Sequence, residues 1–327
     1  MGDAGVMRII IDTDPGMGTP GADPEDGMAI LYALRSPGVT VEGITLVQGN
    51  VTVSHAWPNA NRLLELADRT EVPVHAGAVE PSSPERRPLQ TAWLRQREMM
   101  ASPDGVPDTP SDTAARFLVD TVLAAPGEIT IVAIGPLTNV AAAIEADPGF
   151  AEALDRLVIM GGTVEVPGNI TPAAEFNIWM DPDSAQIVFD SGVPITMVGL
   201  DVCHRTHFDR AQAERLRQSR TDLAQHVADA SESWITVKAG LFDGDEDLHL
   251  YDTLAMAAAI EPDLLETRPA LVEIETSTGP AAGMTVVHLN DAMRRLLTGR
   301  EPNALVATGV DLDRFEALFA ERVLAGV

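Results

Sequence analysis

Five acidic residues lie within fifteen positions, directly after an apolar run, in the segment IIIDTDPGMGTPGADPEDGMAIL at 9–31. They are Asp12, Asp14, Asp23, Glu25 and Asp26, and prolines and glycines separate them, not lysines. Carboxylates this close repel one another, so the arrangement is unfavourable unless something positive lies between them. One candidate is a hard divalent cation such as calcium, which binds about six to eight oxygen ligands.

Three explanations of this acidic cluster stay open on the residues alone. Asp26 precedes a helical pattern and would serve as a helix cap in a solvated turn. Asp12 and Asp14 also fit a phosphotransferase of the haloacid dehalogenase type, but the usual hydroxyl-bearing residue and later lysine are not convincingly placed. A cation site is the third explanation, and it needs a further ligand from elsewhere. Asp252, at the start of the apolar stretch 249–260, is a candidate ligand and equally a plain helix cap.

The composition of the chain excludes several kinds of partner. Among 327 residues, 49 are acidic and 22 basic, for a net charge of −27. Nucleic acids and anionic membranes require a basic surface, so neither is expected as a partner. Cys203 is the only cysteine, which favours a reducing compartment. We find neither a signal-peptide pattern nor an apolar stretch of about 18 residues. We interpret the chain as a cytoplasmic protein.

Short β-branched runs alternate with longer helical patterns. The predicted strands are 8–12, 39–49, 72–77, 128–135, 156–162, 194–201, 270–276, 283–289 and 304–310. The predicted helices are 26–36, 59–69, 137–146, 182–191 and 312–324, with a mainly helical region at 203–262. This alternation predicts an α/β fold, a single domain over 1–327 with a mostly parallel central sheet flanked by helices.

Polar or glycine residues end five of the predicted strands. They are Asp12 with Asp14, Gly49-Asn50, Gly135, Gly161-Gly162 and Asp201. In open α/β sheets, ligands bind beyond the carboxyl ends of the strands. Any one of these endings is a common turn, but the five together indicate a site at that edge. The stretch 80–111 is predicted to be a long excursion, and such loops often act as lids.

Seven segments resemble, in order, the motifs of the inosine-uridine nucleoside hydrolases. They are DTDPG…EDGMAI, VQGN, IVAIGPLTN, VIMGG…GN, AEFNIWMDPDSA, MVGLDV and YDTLAMA. The resemblance implies a calcium-dependent enzyme of purine or pyrimidine salvage, in which a water held by the metal attacks the N-ribosidic bond. Ribose and a free base would be released from a small-molecule ribonucleoside. The resemblance also implies a homodimer or homotetramer.

The same resemblance implies roles for individual residues. Asp14 would bind calcium and take a proton from the attacking water. Asp26 and Asp252 would be further calcium ligands, and Ile134 would contribute its main-chain carbonyl. The residues that would contact the sugar are Glu25, Asn50, Asn169, Glu175, Asn177 and Asp252.

Two departures from the family pattern affect these assignments. The family writes DTDPGxDDAxAI, whereas here GTPGADP is inserted at 18–24 and the aspartate pair becomes Glu25-Asp26. A segment so rich in glycine and proline can leave and return as a bulge. Glu25 then takes the place of a ribose-binding aspartate, although Asp23 could swing in instead.

The second departure concerns the leaving group. Many members have His-Asp where this chain has Tyr251-Asp252, and a tyrosine, with a pKa of about 10, is a weaker proton donor than histidine. His249 could substitute for it. The family's HG…GLG loop is absent from 93–108. The identity of the leaving nucleobase therefore stays open. The alternatives are a ribosyl hydrolase with a modified or non-standard leaving group, or a metal- and ribose-binding protein with little turnover.

Overall fold

Residues 6–98, 113–241 and 246–325 are described by a computed structural model of the chain. The predicted excursion at 80–111 is thus covered only up to residue 98, and its remaining part lies outside the described residues. The part that is covered contains a helix. The stretch 93–108, in which the family's loop motif is missing, is likewise described only up to residue 98.

Within these ranges, nine strands form one sheet. They are β1 (Met7–Thr13), β2 (Val39–Leu46), β3 (Val74–Ala76), β4 (Ile129–Ala133), β5 (Arg156–Met160), β6 (Ile195–Val198), β7 (Leu265–Ile274), β8 (Thr285–His288) and β9 (Ala304–Val310). The order across the sheet is β3-β2-β1-β4-β5-β6-β9-β7-β8. Strands β1 to β6 and β9 pair in parallel, whereas β7 is antiparallel to β8 and β9. The predicted α/β fold with a mostly parallel sheet is confirmed.

Helices cover both faces of the sheet. They are α1 (Glu25–Leu34), α2 (Val53–Leu66), α3 (Arg87–Glu98), α4 (Ala114–Ala124), α5 (Thr138–Ala146), α6 (Phe150–Ala153), α7 (Phe176–Met180), α8 (Pro182–Asp190), α9 (Leu200–Cys203), α10 (Arg210–Gln218), α11 (Asp222–Leu241), α12 (Tyr251–Ile260), α13 (Asp291–Thr298) and α14 (Leu312–Phe319). In the described part of the chain, none of them is long and apolar enough to cross a bilayer.

Helix α2 begins earlier than its sequence predicts. The pattern gives a helix from residue 59, just after Pro58, but the helix starts at Val53 and contains that proline. Proline lacks the N–H that would bond the carbonyl four residues back, so one helical hydrogen bond is lost. Val53 and Ala56 are buried in the core, and this packing favours the longer helix.

Strand β1 is buried on both faces, which explains its continuous apolar run. Ile9 and Ile11 join the core formed with α1, α2 and α12, whereas Ile10 joins the core formed with α4, α5 and α8. Successive side chains of a strand point to opposite faces, and a parallel sheet covered on both sides needs apolar residues on each. The central position of β1 holds its carboxyl end, where the acidic cluster begins, in the middle of the sheet.

Asp12, the last but one residue of β1, ties neighbouring elements together. Its Oδ1 accepts hydrogen bonds from Thr45 Oγ1 of β2 at 2.5 Å and from Asn139 Nδ2 of α5 at 2.7 Å. Asn139 also donates to the Leu46 carbonyl at 3.0 Å and accepts from the Ala78 N–H at 2.9 Å. Burial raises the pKa of Asp12 to about 7. Asp12 is therefore a structural residue of this cluster.

We expect Asn139→Ala to lower the free energy of unfolding by about 2–4 kcal/mol, because it leaves several buried polar groups without their partner. Urea unfolding followed by circular dichroism would measure the loss. Asn61→Ala is the matched control, since the Asn61 amide makes one hydrogen bond, at 2.8 Å, to the Trp57 carbonyl of its own helix. The control should lose less than about 1 kcal/mol. Equal losses in the two variants would contradict the structural role of Asn139.

Candidate active site

The carboxyl ends of β1 and β4 lie side by side in the centre of the sheet. Asp12 pairs with Ala133, and the Ile134 N–H donates to the Asp12 carbonyl at 2.8 Å. Asp14 therefore lies against the segment that follows β4. A Cβ atom on Gly135 would stand 2.9 Å from Asp14 Oδ1. The glycine leaves room for this carboxylate and for whatever binds it.

Asp14 and Asp26 form a buried pair of carboxyl groups. Asp26 Oδ1 accepts from Thr13 Oγ1 at 2.6 Å and from the Asp14 N–H at 3.2 Å. Asn50 bridges the pair, because its N–H donates to Asp14 and its Nδ2 donates to Asp26 at 3.2 Å. Asp14 Oδ1 is buried and, among the described residues, has no hydrogen-bond partner. Burial raises the pKa of both carboxyls, and the charge of Asp26 raises that of Asp14 further.

Asp252 joins this pair from the far end of the chain. It lies in the first turn of α12 and is buried. Burial raises its pKa, and the charge of Asp26, followed by those of Glu25 and Asp14, raises it further. The fold thus brings the three predicted carboxylate ligands within electrostatic reach of one another.

The donor set suits a hard cation, although it is not a closed coordination shell. Over residues 6–98, 113–241 and 246–325, no three His, Cys, Asp or Glu side chains are spaced as a preformed metal site. The unpaired Asp14 Oδ1 and the mutual repulsion of the acids are nevertheless what a divalent ion would relieve. The Ile134 carbonyl accepts from Asn177 Nδ2 at 3.1 Å, and a carbonyl oxygen has a second lone pair.

Glu175 is a buried acid held by backbone donors at the start of α7. Its Oε1 accepts from the Asn177 N–H at 2.8 Å, and its Oε2 accepts from the N–H groups of Gly162 at 3.0 Å and Ile178 at 3.2 Å. Burial raises the pKa of Glu175 to about 7, and the backbone hydrogen bonds oppose this shift. The capping geometry fixes the direction of the carboxylate.

Two of the three predicted asparagines, Asn169 and Asn177, lie on either side of Glu175 in the sequence. Asn177 is buried, and its Nδ2 contacts the carbonyls of Ile134 at 3.1 Å and Met160 at 3.2 Å. These contacts join the segments that follow β4 and β5. Asn169 is exposed, and its Oδ1 accepts from the Phe176 N–H at 2.9 Å. Both amides are therefore oriented by the backbone around them.

A cavity of about 360 Å³ opens over these residues. Its polar wall contains Asp23, Asn50, Asn169, Glu175, Asn177 and Asp252. Aromatic rings from four separate segments also line it, namely Trp93, Phe176, Trp234, His249 and Tyr251. Hydroxyl-binding acids and amides beside aromatic rings suit a ligand with a hydroxylated part and a planar ring.

The sequence-family model of the inosine-uridine preferring nucleoside hydrolases matches residues 9–317 of the chain. The chain belongs to this family. Nucleoside hydrolases are glycosidases that act on ribonucleosides. The match confirms the family predicted from the seven motifs and favours a hydrolase over the phosphotransferase explanation of the DTD sequence.

Similar proteins agree with this assignment. A probable uridine nucleosidase of Oryza sativa subsp. japonica is 37% identical over 82% of this chain and 78% of its own length. A pyrimidine-specific ribonucleoside hydrolase of Salmonella arizonae is 36% identical over 97% of this chain and 98% of its own. Among solved structures, a purine-preferring ribonucleoside hydrolase from Gardnerella vaginalis has a TM-score of 0.83 at 31% identity, covering 98% of each chain. A plant nucleoside hydrolase has a TM-score of 0.81 at 32% identity, covering 98% of this chain and 99% of that one.

The insertion in this nucleoside hydrolase leaves and returns as a compact loop. At its base, a Cβ on Gly16 would lie 2.3 Å from the Asp23 carbonyl oxygen, so the two ends of the loop touch. Asn59 Nδ2 of α2 anchors the loop through the Pro15 carbonyl at 2.9 Å and Thr19 Oγ1 at 3.0 Å. The prediction of a returning bulge is confirmed. Asp26 thereby keeps its place beside Asp14 despite the extra residues.

The two acids at the end of the insertion take different places. Glu25 is buried, and its carboxylate accepts hydrogen bonds from the Asp252 N–H, the Thr253 N–H at 3.0 Å and the Thr253 hydroxyl. Burial raises the pKa of Glu25 to about 8. Asp23 is part of the cavity wall, whereas the Glu25 carboxylate is directed at the start of α12.

The groups predicted to act on the leaving base are both in the cavity wall. His249 Nδ1 lies 2.8 Å from the Thr206 carbonyl and must donate to it, so Nε2 is the unprotonated nitrogen of the neutral ring. Burial lowers the pKa of His249 and raises that of Tyr251. The ring centroids are 5.6 Å apart. Near neutral pH, Tyr251 is therefore a hydroxyl donor beside a neutral imidazole.

Sequence reasoning missed several residues of the cavity wall. Trp93 comes from α3, and Trp234 and Lys238 come from α11. None of these residues lies directly after a strand, which is where the site residues were expected. Composition offers a weaker signal, because Lys238 is the only lysine of the chain and the two tryptophans are half of all four.

The raised pKa values predict an unusual pH dependence of stability. In chelator-containing buffer, the folded protein binds more protons than the unfolded chain between about pH 4 and pH 8, because the pKa values of Asp14, Asp26, Asp252, Glu25 and Glu175 are raised. Stability should therefore fall as the pH rises through this window. Scanning calorimetry should show a Tm several degrees lower at about pH 8 than at about pH 5.

Asp26→Asn is the comparison variant for this experiment, since it removes one of the interacting charges while keeping the size of the side chain. Its Tm should vary less with pH than that of the unaltered protein. A Tm that rises between about pH 5 and pH 8 in chelator would contradict the predicted repulsion.

Proposed function

We propose that this enzyme hydrolyses the N-ribosidic bond of a ribonucleoside in a calcium-dependent reaction, with Asp14 as the base that accepts a proton from the attacking water. The observation that carries the proposal is the buried Asp14–Asp26 pair, with an unpaired Asp14 oxygen, next to a cavity lined by both amide and aromatic groups. The family match supports the reaction class.

The side chains of Asp14, Asp26 and Asp252, with the Ile134 carbonyl, would hold the calcium ion. When bound, the ion would neutralise the excess negative charge and acidify a water molecule. The Asp14 carboxylate, whose Oδ1 has no partner among the described residues, would then accept the water's proton. Asn50 orients both carboxylates of the pair through its main-chain and side-chain donors.

The ribose would be held by the polar wall of the cavity. Glu175 is fixed by backbone donors, and Asn177 and Asn169 are fixed by neighbouring backbone groups. Cleavage of an N-ribosidic bond develops positive charge on the sugar, so preoriented carboxylate and amide oxygens stabilise the transition state. Because these groups are already held in place, little reorganisation is needed when that charge appears.

The base would lie among the aromatic rings. Trp93 and Phe176 are in contact, with ring centroids 5.1 Å apart, and they offer apolar surface to a planar ring. Tyr251 would donate a hydrogen bond to the departing base. The names of the relatives include uridine, pyrimidine and purine activities, so both classes of base belong in the substrate panel.

A second candidate keeps the ribose site but not the fast reaction. Tyr251 is a poor acid because burial and the charge of Asp23 raise its pKa, and this favours either a leaving group that needs no protonation or a binding protein with little turnover. Assembly into dimers or tetramers stays a prediction.

Incubation with a panel of ribonucleosides, assayed for reducing sugar, should show cleavage of at least one of them. Asp14→Ala should then reduce kcat by at least about 10³-fold, because it removes both the base and a metal ligand. Glu65→Gln, on the exposed face of α2, is the control and should keep full activity. Full turnover by Asp14→Ala would remove Asp14 from its proposed role, and tight binding without sugar release would favour the binding protein.

Chelation should abolish turnover, and added calcium should restore it. Isothermal titration calorimetry on the chelated protein should detect one calcium site per chain, and calcium should raise the Tm more at about pH 8 than at about pH 5, where protons already neutralise the acids. Asp26→Asn should bind calcium at least about tenfold more weakly. Activity that is unchanged in chelator, with no heat of calcium binding, would contradict the proposed calcium requirement.

A further inference from the structure

The inserted loop gives the chain two acids where the family pattern has one. Glu25 follows the family's alignment, but its carboxylate is buried against the start of α12. Asp23 comes from the insertion itself and lies in the wall of the cavity. We infer that the task of one family residue is divided here: Asp23 contacts the sugar hydroxyls, and Glu25 is a positioning residue that holds Asp252 toward Asp14 and Asp26. This inference rests on the proposed function.

The position of Glu25 follows from the unfilled donors of α12. Leu250 precedes the helix and has no side-chain oxygen, so the first N–H groups of α12 find no local cap. Glu25 supplies the cap from another helix, accepting from two successive N–H groups and from the Thr253 hydroxyl. Because Asp252 is one of the residues so held, this contact sets the position of its side chain relative to Asp26, the neighbour of Glu25 in α1.

The extra methylene of glutamate agrees with this division. Glu25 and Asp26 are consecutive in α1 and point to different partners, one to α12 and the other to Thr13, Asp14 and Asn50. Glu25 is only 2% exposed, and both of its oxygens already accept from donors of α12. Turning this carboxylate toward a sugar would leave those buried donors without a partner.

Asp23 has the placement that Glu25 lacks. It is half-buried and lines the cavity together with Asn50 and Asp252. Its Oδ1 accepts from the Glu25 N–H at 3.1 Å, which fixes the direction of the carboxylate at the start of α1. A carboxylate is the strongest acceptor that a protein offers to a sugar hydroxyl, because the bond is charge-assisted. The loop is anchored at its base and by Ser233 Oγ, which accepts from the Gly21 N–H at 2.8 Å.

Sugar selectivity separates the two roles. The experiment compares kcat/KM for a ribonucleoside that the unaltered enzyme cleaves with its 2′-deoxy and 3′-deoxy counterparts. Asp23→Asn should lower kcat/KM for the ribonucleoside by about 10- to 100-fold, the usual value of a hydrogen bond to a charged group. For the counterpart that lacks the contacted hydroxyl, the loss should be less than about threefold.

Glu25→Gln should act differently, because an amide nitrogen cannot accept from the α12 donors. It should lower kcat/KM for all three substrates by a similar factor and weaken calcium binding by at least about tenfold, measured by calorimetry. Thr253→Val removes one of the three donors without changing any acid, and should shift both readouts in the same direction by less. The Thr253→Val variant keeps the test valid if Glu25→Gln does not fold. Glu65→Gln is the control for both sets.

The outcomes distinguish this inference from the proposed function. If the unaltered enzyme cleaves no ribonucleoside, the proposed function fails and the inference fails with it. If it cleaves but Asp23→Asn leaves the ribose-to-deoxyribose preference unchanged, Asp23 is not the sugar ligand. If Glu25→Gln alters that preference while calcium binding is unchanged, Glu25 contacts the sugar and the division of roles is wrong.

Discussion

Burial of carboxylates beside one another is the constraint on which the rest of this structure depends. Asp14, Asp26 and Asp252 are at most 6% exposed. Burial raises the pKa of all three, and the charge of Asp26 raises the pKa of Asp14 and of Asp252 further. Such an arrangement costs free energy unless a cation compensates it. The chain uses arginines to pair acids elsewhere, as in the Arg322–Glu261 bridge, whereas donors around Asp14 and Asp26 come from Asn50, Thr13 and main-chain N–H groups. Neutral donors orient the acids without cancelling their charge.

The fold holds this unfavourable cluster by burying large apolar areas around it. Strand β1 lies in the middle of the sheet, with isoleucines packed into cores on both faces. Asp12 and Asn139 then join the end of β1 to β2 and α5. The rigid support lies directly below the cluster, so the acids cannot relax apart into solvent. A site held in this way is preorganised for a cation and a polar substrate.

The same physics explains how the enzyme tolerates an insertion within its main motif. The loop closes on itself at Gly16 and is anchored to α2 and α11, so α1 begins where Asp26 can still reach Asp14. The residue that changes is the one directly before Asp26 in the sequence, which is Glu25 here. Glu25 is one methylene longer than aspartate and reaches the buried donors at the start of α12. Leu250, the residue before that helix, has no side-chain oxygen to cap them. The extra residues thus supply Asp23 to the cavity wall.

The sequence by itself determined the α/β architecture, the mostly parallel sheet, the family and the edge at which the site lies. Those features depend on local periodicity and on residues adjacent to strand ends, such as Asp14, Asn50 and Ile134, which stand within the seven motifs. Only the tertiary structure decided that Glu25 caps α12 while Asp23 lines the cavity, because a loop's return path depends on its anchors at Asn59 and Ser233. It also decided that Trp93, Trp234 and Lys238 belong to the site, since helices α3 and α11 reach the cavity through packing and not through their position in the motif order.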